Sequence, residues 1–201
     1  MRTWLVPGSV YACRMKVPDS GMPVENYWES LFDVPLILDR LGIDQSVEDV
    51  AELGCGYGTF TLPLARRISG TVFTFDIDVA KLERTRRRAG EARLANIKAA
   101  QRDVIADGFD LSDGSCDVCL LFNILHFPKA PALIAEAARV IGSRGRVLAI
   151  HWRSDIPTPR GPAVAVRPRA AQIERWAAAA GVNAGPACDL PPWHFGAVLT
   201  K

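Results

Sequence analysis

Three carboxylates and a run of glycines stand where they could hold a nucleoside. An apolar stretch ends in Glu52-Leu53-Gly54-Cys55-Gly56-Tyr57-Gly58, an acid followed by glycine at every second position. Glycine has no Cβ, so such a turn bends sharply and lets a ligand lie against main-chain N–H groups. A carboxylate at Glu52 would repel a pyrophosphate and attract an ammonium or a ribose hydroxyl. Asp76 follows Gly54 by 22 residues. In a strand–helix–strand unit this places Asp76 at the carboxyl end of the neighbouring strand. There it can accept both hydroxyls of a ribose through charge-assisted bonds of roughly 1.5–3 kcal/mol each. Asp103, after a third strand, would face the next part of the same ligand, most naturally an adenine amino group. Three acids in register with one glycine turn describe a site for a cationic adenosine.

The elements that must position these residues are legible from periodicity. From residue 47 onward strand-like and helix-like segments alternate, the pattern of an α/β domain with a largely parallel sheet. The spacing predicts strands at 47–53, 71–75, 97–102, 116–122 and 146–152. Helices are predicted at 59–68, 79–89, 131–141 (with Gly142 closing the last at its C′ position) and 168–180, and two closing strands at 182–187 and 194–200. Residues 153–167, rich in proline and arginine, read as a loop. Ahead of this core (47–201), an N-terminal segment (1–46) carries Trp28, Leu31, Phe32, Pro35 and Leu36 at i, i+3, i+4, i+7 and i+8. That is one amphipathic helix over about 25–41, broken or kinked near Pro35. Two readings stand for it: a cover over the sheet, or a lid over the ligand that offers Tyr27 and Trp28 as aromatic surface.

The matching segments are Glu52 to Gly58, Asp76, Arg102-Asp103, Asp117-Val-Cys-Leu-Leu-Phe-Asn-Ile-Leu-His126 and Glu136-Ala-Ala-Arg-Val-Ile-Gly-Ser-Arg-Gly-Arg146. Together these segments resemble the class I S-adenosylmethionine-dependent methyltransferases over residues 47–201. Ser143 and Arg144 replace the family's usual Pro-Gly before strand five, so that turn is expected to differ in shape. The resemblance implies a Rossmann-like seven-stranded sheet in the order 3-2-1-4-5-7-6, with strand 7 antiparallel and helices on both faces. It also implies S-adenosyl-L-methionine as cofactor. The backbone of Gly54, Cys55, Gly56 and Gly58 would meet its amino-acid end, with Glu52 shaping the pocket. Asp76 would take the ribose, with Ile77 against the adenine; Asp103 and Val104 would read the adenine, and Asn123 would lie near the methionine moiety. A nicotinamide dinucleotide fits less well. Its fingerprint is Gly-x-Gly-x-x-Gly, whereas the residue three after Gly56 is Thr59.

Methyl transfer to a small molecule (O-, C-, N- or S-methylation) needs mainly positioning. Where the acceptor must lose a proton, the candidate bases are His126, after strand four, and His151 or His194 near the far half of the sheet. Trp152 with Trp28 could enclose a flat or apolar acceptor, and Arg153 could hold an anionic group; each also reads as ordinary packing or a solvated side chain. The Asn-Pro-Pro-aromatic signature of many nucleic-acid and protein N-methylases is absent, Asn123-Ile-Leu-His126 standing in its place. A catalytically silent cofactor-binding module remains the alternative.

Composition narrows the rest. The 201 residues are 49% hydrophobic and 23% charged with a net charge of +2, a globular balance that does not predict nucleic-acid binding. Arg66, Arg67, Arg84, Arg86, Arg87 and Arg88 read as a solvated helix face. The start of the chain breaks at Pro7-Gly8 before any apolar core develops, which argues against a signal peptide, and Cys13 only faintly resembles a lipoprotein site. Five cysteines at irregular spacing suggest a reducing, cytoplasmic compartment. Cys116-x-x-Cys119 reads as buried strand, no metal-ligand spacing stands out, and no membrane span is expected.

Overall fold

The computed structural model describes residues 22–201. The arguments made for Pro7-Gly8 and Cys13 lie outside the described residues. The elements run α1 (Glu25–Glu29), α2 (Val34–Arg40), β1 (Val50–Leu53), α3 (Thr61–Arg67), β2 (Val72–Asp76), α4 (Val79–Glu91), β3 (Ile97–Gln101) and α5 (Val104–Asp107). They continue with β4 (Cys116–Phe122), α6 (Ala130–Val140), β5 (Ile141–Trp152), α7 (Ala170–Ala179), β6 (Asn183–Ala184), β7 (Cys188–Leu190) and β8 (His194–Thr200).

Among the described residues one eight-stranded sheet forms in the order β3-β2-β1-β4-β5-β8-β6, with β7 also pairing β8. The first five strands are parallel to their neighbours and β8 is antiparallel to β5. This is the expected order, with the closing edge divided. β6 and β7 both pair with β8, in registers that differ by one residue. Gly185-Pro186-Ala187 lies between them, and Pro186 has no N–H to give a ladder.

β1 is buried at all four residues, as a central parallel strand covered on both faces must be. On one face Ala51, Leu53, Leu121 and Val147 pack with Leu133 and Ile134 of α6 and Ile173 of α7. On the other, Val50, Leu120, Ile150 and Trp152 pack with Trp28, Ile37, Leu38 and Leu64 of the first three helices. The N-terminal helices therefore share a core with the sheet.

Two expectations need correction. The N-terminal helix is two helices, and the break precedes Pro35. Asp33 caps α2 by accepting from the Leu36 N–H, and Pro35 sits in the first turn, where its missing N–H costs nothing. Helix α6 ends at Val140, and Gly142 belongs to β5. β5 starts five residues earlier than the apolar pattern indicated, with an irregularity in its pairing to β4 that takes up Gly142 to Gly145.

Candidate functional site

The carboxyl ends of β1, β2 and β4 open into one cleft, bordered also by α1 and the start of α4. Part of its lining is acidic. Glu52 is 4% exposed, and Thr61 and Thr74 both donate their hydroxyls to its Oε2 at 2.6 Å. Thr74 is its register partner on β2, and Thr61 opens α3. Burial pushes the Glu52 carboxyl up to about 7, against the pull of the two hydroxyls, and nearby Asp76 adds to the rise. Asp76 accepts from the Gly56 N–H at 3.1 Å and the Asp78 N–H at 2.9 Å, so it braces the turn it faces. Asp103 caps α5, its Oδ1 accepting from the Ile105 and Ala106 N–H groups at 3.2 Å, and is buried at the cleft wall.

The glycine turn is shaped for close approach. Gly54 has φ +84°, and a Cβ added there would meet only Ile124 Cδ1, at 3.7 Å, so the backbone lies open to the cleft. Gly58 has φ +79° but faces inward; a Cβ there would stand 2.6 Å from Leu62 Cδ1. It does not border the cleft and serves the packing of α3 against α4, where Thr85 donates to the Gly56 carbonyl at 3.2 Å. Cys55 is buried beside Asp76, and burial keeps its thiol protonated.

The cleft lining is also aromatic, with Trp28, Phe60 and Phe122, and His126 borders it too. Ile124 and Met22 complete it beside the glycine turn, where they approach Gly54 and Gly56. The Phe60 and Phe122 rings meet edge to face with centroids 4.9 Å apart. Thr59 Oγ1 and Asn123 Oδ1 are buried in this wall without a hydrogen-bond partner. Asn123 takes φ +55° as the chain leaves β4, its N–H held by the Ile150 carbonyl at 2.8 Å.

Of the residues singled out from sequence, the cleft gathers Glu52, Gly54, Cys55, Gly56, Asp76, Ile77, Asp103, Val104, Asn123, His126 and Trp28. Others lie elsewhere. Trp152 is fully buried in the core, its ring centroid 4.2 Å from that of His194 and 6.3 Å from that of Phe32, and Phe32 in turn packs on Trp28 at 4.9 Å. His194 is stacked on Phe32 at 4.6 Å. His151 is fully buried behind the cleft, its ring 5.6 Å from that of His126; burial lowers its pKa to about 3, and His126 adds to the fall. Arg153 pairs with Asp155 at the surface, and Tyr27 is exposed. Arg84 and Arg88 are not merely solvated: they bind Glu25 and Glu29 of α1. Cys116 and Cys119 are free, buried thiols of β4. Phe60, Phe122 and Thr59 were read from sequence as parts of a helix and a strand and not as site residues. The signal was present for Phe122, which ends β4 on the same face as Val118 and Leu120.

Among the described residues no group of three or more His, Cys, Asp or Glu side chains is placed to hold a metal ion, and no helix is long and apolar enough to cross a membrane. The donor set and the open glycine cradle fit a cationic adenosine rather than a phosphate.

The chain resembles known proteins in sequence and in fold. The Methyltransferase domain family matches residues 50–145. "Aklanonic acid methyltransferase DauC" of a Streptomyces species is 30% identical over 107 residues, covering 50% of this chain and 46% of its own. "Nocamycin O-methyltransferase" of Saccharothrix syringae is 32% identical over 104 residues, 49% of this chain and 36% of its own. The catalytic subunit of a tRNA (adenine(58)-N(1))-methyltransferase of Candida albicans is 31% identical over 98 residues, 48% of this chain and 29% of its own. The matches thus span less than half the length of these curated relatives. A crystal structure of a SAM-dependent methyltransferase from Aquifex aeolicus superposes with a TM-score of 0.77 at 17% identity, covering 87% of this chain and 93% of that one.

Proposed function

We propose that this chain, which belongs to the class I S-adenosylmethionine-dependent methyltransferases, methylates a small molecule in the cleft described above. The observation that carries the reading is the convergence of Glu52, Asp76 and Asp103 on a glycine turn whose backbone is open. When bound, S-adenosylmethionine supplies a methyl group on a sulfonium, already a good leaving group. The backbone from Gly54 to Gly56 would hold its amino-acid end, with Glu52 beneath and Asn123 beside it. Asp76 would take the ribose, and Ile77, Asp103 and Val104 the adenine.

The chain's own work is to position the acceptor, exclude water and take up a proton where the acceptor releases one. His126 is the residue we assign to that proton, because it borders the cleft just past β4. His151, neutral and packed edge-on against it, acts through His126 by fixing its ring. A small acceptor is favoured because Trp28 of α1, Phe60 and Phe122 give the cleft an apolar, aromatic lining. It is also favoured because Arg84 and Arg88 are engaged with α1 rather than offered to a nucleic acid. The two relatives named for aklanonic acid and nocamycin support this choice. The free thiols are in keeping with a reducing compartment, for which we propose the cytoplasm.

The test is S-adenosylhomocysteine formation from S-adenosylmethionine against metabolite pools, paired with calorimetry. Turnover with a small-molecule fraction is expected. Tight binding with no turnover across wide pools would identify a silent module instead, and failure to bind either form of the cofactor would remove the assignment.

A further inference from the structure

Part of the cleft lining is aromatic rather than acidic, and it has a chemistry of its own. We propose that this aromatic part is a subsite for a neutral, flat aromatic molecule bearing a hydroxyl or a comparable hydrogen-bonding group. The inference rests on the reading that the glycine turn and its three acids hold the methyl donor.

Three observations carry it. The first is the wall. Phe122 is half-buried at the cleft and meets Phe60 edge to face; behind them Phe32 touches Phe60 at 5.3 Å and Trp28 at 4.9 Å, also edge to face. Rings braced in this way hold fixed orientations, and a further flat ring completes the set at little entropic cost.

The second is charge. Trp28, Thr59, Phe60 and Phe122 offer no formal charge to a ligand, and His126, which also lines the cleft, is the group assigned to the acceptor's proton. The two cations bordering the cleft are committed elsewhere. Lys81 Nζ sits 3.6 Å over the Tyr57 ring, and Arg102 donates to the Gly108 and Asp107 carbonyls at 2.6 and 3.0 Å. An anionic acceptor would be desolvated without a partner. A cationic one would compete for the acids that the donor needs.

The third is an unmet polar atom, Thr59 Oγ1, buried in the cleft lining beside the aromatic rings; Asn123 Oδ1, also unmet, is left to the donor. A buried polar atom is costly without a partner, so a ligand hydroxyl that reaches Thr59 gains what the protein alone forgoes.

The experiment uses the full chain saturated with S-adenosylhomocysteine and titrated calorimetrically with three probes. These are 2-naphthol, its saturated counterpart decahydro-2-naphthol, and 3-hydroxy-2-naphthoate, which adds a carboxylate. 2-Naphthol should bind about tenfold more tightly than either of the others. Phe122→Leu keeps the apolar volume and removes the ring, so it should cut the preference over the saturated probe by about threefold or more. Thr59→Val should weaken 2-naphthol about fivefold and leave S-adenosylhomocysteine affinity unchanged. The inference is overturned by equal or tighter binding of the carboxylate or the saturated probe. A preference unmoved in Phe122→Leu, or no binding of any probe to the loaded protein, overturns it as well. Failure of S-adenosylhomocysteine itself to bind is a separate result that removes the donor reading and this inference with it.

Discussion

Glu52 is the residue at which ionisation, folding and donor binding meet. Its folded value, about 7, lies above the ordinary 4.5 because burial outweighs the two threonine hydroxyls. The folded state therefore holds this proton more tightly. The stability it contributes is complete below about pH 4.5 and is lost as the pH rises through about 7. A cationic ligand has the opposite preference, for the ionised form. Donor affinity should then strengthen as the pH rises through about 7, and Glu52→Gln should flatten that dependence and weaken binding about tenfold. Calorimetry at about pH 6 and pH 8 measures both effects; a wild-type affinity indifferent to pH would detach Glu52 from the donor. For His126, replacement by Ala should lower turnover by about a hundredfold while donor affinity stays within about twofold. An unchanged rate would remove it from the mechanism. At this scale the sequence was informative where a residue acts through its own type and neighbours, as at Glu52 and Gly54. It was silent on the threonines that tune Glu52, because Thr61 and Thr74 meet the carboxylate only once β1, β2 and α3 are packed.

Helix α1 reaches the cleft and is clasped to α4. Arg84 binds Glu25 with two bonds of 2.7 and 2.8 Å, and Arg88 binds Glu29 at 2.6 Å and the Tyr57 carbonyl at 2.7 Å. Tyr57, inside the glycine turn, donates its hydroxyl to the Pro23 carbonyl at 2.8 Å. The segment carrying Met22 and Trp28 is thus tied to the glycine turn, and Trp28 both borders the cleft and packs in the core beneath it. Each ion pair is partly exposed and worth little alone, so the clasp can open. In stopped-flow fluorescence, a Glu25→Gln, Glu29→Gln variant should release S-adenosylhomocysteine several-fold faster than wild type. It should also lose most of the acceleration that added salt gives the wild type. Equal release rates would return α1 to simple packing. Gly58 belongs to this scale as well. Gly58→Ala forces a side chain into φ +79° and against Leu62, which should cost about 1–3 kcal/mol and lower Tm by several degrees in a thermal melt. The apolar spacing over 25–41 announced helix but not where it breaks. A proline interrupts a helix or begins one according to where the cap falls, and Asp33 supplied the cap.

Across the whole molecule two core faces meet on one sheet, and the buried histidines connect that packing to pH. Burial is the main cause that lowers His151 and His194 to about 3, below the ordinary 6.5. The unfolded chain takes up protons that the folded one refuses. Stability is therefore full above about pH 6.5 and lost as the pH falls toward 3, the reverse of the Glu52 trend. With two histidines against one carboxyl, Tm should decline on acidification below about pH 6.5, and His194→Phe should make that decline shallower. An equal slope in the variant would assign acid sensitivity elsewhere. The α/β class was readable from alternating strand-like and helix-like segments, the strand order from the family resemblance, and the residues proposed for the donor were singled out by the glycine turn and the acids after the strands. Periodicity, glycine and the acid that ends a strand are local signals, and parallel strands joined by helices leave few ways to arrange them. What only the tertiary structure decided was the aromatic part of the cleft lining. Trp28, Phe60 and Phe122 come from three separate segments and meet because both core faces must close over the sheet. The same packing drew Trp152 and His194 out of the cleft and into the core. Which side chains line a cavity depends on what else fills the space around it, and no residue's spacing along the chain contains that.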